Sequence, residues 1–122
     1  RGAVCIVVSV VEPVRIPAMG LLPASVRSRL AGEAAAMRAE AQHKARRAAE
    51  AAARSLTKGG WQSGVDVQEG VPAVELLKVV RTVKADCVVV GARGVSVARR
   101  LLLGSVSAEV LQECAVPVVV VK

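Results

Sequence analysis

Aromatic side chains are all but missing from this chain of 122 residues: Trp61 stands alone, with no Phe and no Tyr. A core without rings must be filled by Val, Leu, Ile and Ala. At 53% hydrophobic residues there are enough of them for one domain, expected to span residues 1–122. Long apolar runs are missing too. The longest, residues 3–11 and 115–121, have strand length and fall far short of the roughly 20 residues a membrane-spanning helix requires. No signal-peptide pattern is read ahead of Ala3, so a soluble, cytoplasmic protein is expected. Cysteine is scarce: Cys5, Cys87 and Cys114 lie far apart, form no C-x-x-C pair and have one histidine among them, which excludes a zinc cluster by spacing. Cys5 and Cys87 sit inside β-branched runs and are expected to be buried, reduced thiols of a reducing compartment. The single histidine, His43, lies beside Lys44 and Arg46 on a charged stretch and reads as a surface residue, not a base. No Walker A pattern and no G-x-S-x-G occur, so the common hydrolase signatures are absent.

The formal net charge of +7 is concentrated. Residues 27–58 hold eight Lys/Arg against three Glu, and residues 93–122 hold four against two. Basic residues along one helix, with no aromatic side chains between them to stack bases, describe a solvated face. Salt-sensitive attraction to polyanions follows from that charge; specific nucleic-acid binding does not.

Along the chain, Ala3–Val11 is a nearly unbroken β-branched run, expected as a strand buried on both faces of a parallel sheet. Glu12–Ala24, with Pro13, Pro17, Gly20 and Pro23, reads as a loop. A long helix follows, entered at Ser25 or Ser28, with Gly32 marking a bend or the true start. Its stripe of apolar or small residues runs Leu30, Ala34, Met37, Ala41, Ala45, Ala48, Ala52, Leu56. Glu40–Lys44 and Glu50–Arg54 are spaced as i,i+4 ion pairs, and Gly59-Gly60 ends the helix. Gly64–Glu69 alternates as a short strand near an edge. Pro72 suits a helix's first position, and residues 73–84 continue it with Leu76, Leu77, Val80 and Val83 inward. Ala85–Val90 reads as a second fully buried strand ending at Gly91, residues 92–104 as a loop, Ser105–Cys114 as a helix and Val116–Val121 as the last strand. Strands alternating with helices in this order predict a parallel α/β sheet.

The segment 88–105 carries the functional signal. A buried strand ends in Gly91, Gly94 follows after two residues, and Gly104-Ser105 after nine more, opening a helix. Ligands of open parallel sheets sit outside the carboxyl ends of the strands. Glycines let backbone N–H groups approach an anion closely, and the first N–H groups and positive end of a helix attract one. Ser105 can cap that helix and offer its hydroxyl to a phosphate, while Arg93, Arg99 and Arg100 raise the local potential. From the residues alone, turn-making glycines with a capping serine, and an anion or nucleotide site, both stay open.

The spacing Gly91-x2-Gly94-x9-Gly104-Ser105 resembles the signature of the ATP-binding branch of the universal stress protein family. The similarity continues through Val67–Pro72, Ala85–Gly91, Val106–Val121 and Ala3–Glu12. It implies a Rossmann-like open parallel sheet with helices on both faces. It also implies an adenine nucleotide, ATP with AMP or ADP as variants and Mg arriving only with it, bound as a sensor or switch with little or no hydrolysis. Gly91, Arg93 and Gly94 would give backbone contacts to ribose and phosphates, Gly104, Ser105 and Val106 would cradle the phosphates, and Val10 would meet the adenine. A homodimer through Val118–Val121 is implied as well. The alternative is a dimeric interaction module that binds no nucleotide. The family's opening strand, with an acidic residue at its end, and the helix after it have no counterpart here, so the chain is expected to be an N-terminally incomplete domain.

Overall fold

In a computed structural model the described residues are 3–13, 19–92 and 104–121. They form two compact units, residues 1–70 and 71–122, each taken by itself.

The first unit is a β-α-β crossover: β1 (Val4–Val11), a single 3-10 turn (Met19–Leu21), α1 (Ala24–Lys58) and β2 (Gln62–Glu69). The strands run parallel in register from Val4↔Gln62 to Val11↔Glu69, and α1 lies against both. Ser63 Oγ donates to the Ala53 carbonyl at 2.9 Å, and Arg38 Nε meets Glu69 Oε2 at 2.7 Å. The helix therefore runs antiparallel to the strands, with the odd-numbered residues of β2 facing it.

At 35 residues, α1 is about 52 Å long, whereas an eight-residue strand spans roughly 26 Å. The helix outruns its sheet at the carboxyl end of the strands. This explains why Met37, expected on the inner stripe, is 60% exposed. It also explains why the buried helix residues, Ala49 and Ala53, lie in the half alongside the strands.

Several expectations for α1 are corrected. Pro23 occupies the N-cap position, with no side-chain cap from Ser25 or Ser28, and the helix passes through Gly32 unbroken. The inner stripe takes Ala49 and Ala53 in place of Ala48 and Ala52, because those two stand on the face of the helix that the strands cover. Glu40–Lys44 and Glu50–Arg54 do not close; among the described residues the ion pairs are Arg38–Glu69 and Glu75–Lys78. Exposed pairs gain too little to hold two long side chains together. The stop at Gly59-Gly60 is as expected: the Gly60 N–H donates to the Thr57 carbonyl and the Trp61 N–H to the Leu56 carbonyl, with Gly60 at φ +96°. That is a Schellman motif. β1 is half-buried, not buried on both faces, with Val4 59% exposed, since α1 covers one face only.

The second unit comprises α2 (Pro72–Val83), β3 (Val88–Gly91), α3 (Ser105–Glu113) and β4 (Val118–Val121). Pro72 is the first helical residue of α2, as expected. β3 and β4 pair in parallel, Val88↔Val118 to Gly91↔Val121. The core is Ala73, Val88 and Val110, with Leu76, Val80, Val90, Cys114, Val116 and Val118 packed around it. Val83 is exposed, while Ala73 and Val79 take the buried places on α2. Strand β3 is not fully buried: Val88 points into the core, and Val89, Val119 and Val121 are exposed. Cys87, expected inside, is exposed as well. Alternation along a strand is the reason. The helices cover the face of Val88 and Val90, and Cys87 and Val89 belong to the other. Cys5 and Cys114 are half-buried, and all three thiols are free. No described helix is long and apolar enough to cross a membrane.

The architecture is α/β with every strand pairing parallel. Among the described residues the strands form two separate pairs.

Candidate functional site

Two backbone hydrogen bonds tie the end of β3 to its surroundings. The Ala92 N–H donates to the Val121 carbonyl at 2.7 Å, and the Ala92 carbonyl accepts from the Gly104 N–H at 2.6 Å. The second contact closes the chain between residues 92 and 104, bringing Gly91 and the start of α3 to one place at the carboxyl end of the strands. Ser107 reinforces it from inside. Its hydroxyl, on a residue only 3% exposed, donates to the Gly104 carbonyl at 3.1 Å and reaches the Ala92 carbonyl at 3.4 Å. The Ala108 N–H also returns to the Gly104 carbonyl, at 3.0 Å.

Gly104 is thus the N-cap residue, at φ −63° and ψ 159°. The expectation that Ser105 caps the helix is corrected: Ser105 is the first helical residue, exposed, and no side chain caps α3. A backbone at φ −63° is open to any residue, so the conformation does not call for glycine here. What glycine supplies is the absence of a side chain beside the helix start. The Gly104 N–H is committed to Ala92, which leaves the amides of Ser105, Val106 and Ser107 as the turn with no acceptor inside the helix. These groups, with the positive end of the helix, suit an anion.

Of the residues named from the sequence, Gly91, Gly104, Ser105 and Val106 are brought together. Val10 lies in the first unit, half-buried, one residue before the end of β1 and in register with Gln68. Arg93 and Gly94, with Arg99 and Arg100, fall outside the described residues. Sequence reasoning missed Ala92 and Ser107. Ser107 was legible in principle, since it stands three residues before the buried Val110 and therefore on the same inward face; Ala92 has no side-chain signal at all. His43 is exposed on α1, and no group of three His, Cys, Asp or Glu side chains converges among the described residues. A cavity of about 210 Å³ lies at the other end of the second unit, lined in part by Leu77, Lys84, Cys114 and Val116, at the amino ends of β3 and β4.

Compared with known proteins, residues 1–122 match the family model of the universal stress protein family. The chain belongs to this family. Universal stress protein MJ0531 of Methanocaldococcus jannaschii is 40% identical over 63 residues, which are 52% of this chain and 37% of that protein. The match therefore spans well under half the length of that curated relative. Hypothetical protein MJ0577, the subject of a structure-based assignment of biochemical function, superposes on 100% of this chain and 77% of its own. The TM-score is 0.81 at 20% identity. Universal stress protein UspA from Lactobacillus plantarum superposes on 98% of this chain and 78% of its own, with a TM-score of 0.61 at 20% identity. At such identities the likeness is one of fold, and the fold is that of universal stress proteins.

Proposed function

We propose that this universal stress protein binds an adenine nucleotide, ATP in the first place, as a sensor or switch in a stress response of the cytoplasm, with little or no hydrolysis. The observation that carries the reading is the bond from the Gly104 N–H to the Ala92 carbonyl. It sets the uncapped start of α3 against the carboxyl end of β3, where open parallel sheets take their ligands. Residues 105–107 would hold the phosphates through backbone amides, with Gly104 keeping the approach clear. The roles of Val10, Gly91, Arg93 and Gly94 rest on the family resemblance, as does Mg, which would come with the nucleotide. Ligand and conformational state would then be coupled through differential affinity.

Calorimetric titration of ATP into the wild type and Gly104→Val tests this reading. Valine fits the backbone at position 104 but puts a branched side chain beside the helix start. Saturable binding by the wild type and its loss in the variant are expected; equal binding by both would defeat the reading.

The second reading, a homodimeric interaction module without nucleotide, is favoured by the 49% and 51% exposure of Val119 and Val121 on β4. Dimerisation through Val118–Val121 that is indifferent to ATP, seen by sedimentation alongside flat calorimetric traces, would support it instead.

A further inference from the structure

The β1–β2 pair has one face on α1 and one turned away from it. Glu69 and Ser63 face the helix, so alternation puts Gly64, Asp66 and Gln68 on the other face. Ile6 lies there too, since its Cδ1 would stand 3.2 Å from a Cβ added at Gly64. Register then adds Val4, Val8 and Val10. Along β1 this face is entirely apolar. Along β2 it carries an acid and an amide, half-buried, and polar groups in such a setting need partners.

They partner each other. Gln68 Nε2 donates to Asp66 Oδ1 at 2.5 Å. An ionised carboxylate only accepts, so it turns the amide nitrogen toward itself and leaves Gln68 Oε1, an acceptor, for another partner. Gln68 is the register partner of Val10, one residue short of the carboxyl end of both strands. Neighbouring strands lie about 4.8 Å apart, so a ring resting on Val10 has the Gln68 amide beside it. The next acid along, Glu69, is held on the opposite face by Arg38 and by Gln42 Nε2 at 3.2 Å.

We propose that Gln68, oriented by Asp66, determines base specificity by reading the 6-position of a purine. Its Oε1 accepts from the exocyclic amine of adenine and repels the 6-oxo group of hypoxanthine or guanine. The proposal rests on the adenine-nucleotide reading, in which Val10 meets the base. ATP and inosine triphosphate differ at the 6-position and in the proton on N1 that accompanies the oxo group, so it is the change of their ratio in Gln68→Leu that assigns a preference to the proposed contact.

The test is calorimetric titration of the full chain with each nucleotide. The wild type is expected to prefer ATP by roughly tenfold, the order of one hydrogen bond gained against one repulsive contact avoided. Gln68→Leu is expected to bring that ratio close to one. In Asp66→Asn the new amide can donate, the Gln68 amide is free to turn over, and the ratio is expected to move toward inosine triphosphate. Equal binding of the two nucleotides by the wild type, or an unchanged ratio in a folded Gln68→Leu, would overturn the role of Gln68 while leaving nucleotide binding in place. Absence of ATP binding by the wild type would overturn both. The wild-type comparison needs no variant, and Asp66→Asn serves should Gln68→Leu fail to fold.

Discussion

At the end of α1, Gly59 and Gly60 look interchangeable in the sequence, yet their backbones differ. Gly60 stands at φ +96°, where a side chain is strained. Gly59 stands at φ −82°, and a Cβ there would meet the Leu56 carbonyl oxygen at 3.4 Å, an ordinary contact. Gly60→Ala is therefore expected to cost about 1 kcal/mol in urea denaturation, while Gly59→Ala is expected to be neutral or stabilising by a few tenths of a kcal/mol. Equal costs at the two positions would refute this assignment. That a helix ends at this pair was legible, because two adjacent glycines break helical propensity. Which glycine is indispensable was not, since it depends on the φ that the hydrogen bonds from Gly60 and Trp61 impose. Cys87 makes the same point: its β-branched neighbours promised burial, and one step of strand alternation put it on the exposed side.

Among the elements, α1 was easy to recognise and hard to orient. Ala48-Ala49 and Ala51-Ala52-Ala53 offer equivalent small residues on adjacent faces, so the pattern alone does not choose between Ala48/Ala52 and Ala49/Ala53. The strands choose, by covering Ala49 and Ala53. A run of valines such as 88–90 or 118–121 likewise announces a strand without saying which face is inward. In the second unit Val110 is fully buried at 0% exposure and Val119 is 49% exposed. Val110→Ala is expected to destabilise by about 2 kcal/mol, through lost burial and the cavity left behind. Val119→Thr, which keeps β-branching, is expected to stay within about 0.5 kcal/mol. Shifts in the midpoint of chemical denaturation would show the difference, and similar costs at both sites would mean that the outer face of β3 and β4 is packed in solution.

For the molecule as a whole, the +7 charge and the length of α1 predict retention on heparin or DNA that weakens steeply with added salt and shows no sequence preference. Affinity that survived high salt or distinguished sequences, measured by fluorescence anisotropy, would instead point to a built nucleic-acid site. The order of elements, their parallel sense and the placing of a glycine turn before a helix followed from the sequence, because strand and helix periodicities and glycine positions are local properties of the chain. The tertiary structure alone decided three things: that the Ala92 carbonyl captures the Gly104 amide, that Gly104 rather than Ser105 takes the N-cap position, and that Gln68 is in register with Val10. Each of these depends on the meeting of residues distant in the chain, through backbone atoms or strand register, and neither leaves a mark in the identity of the residues involved.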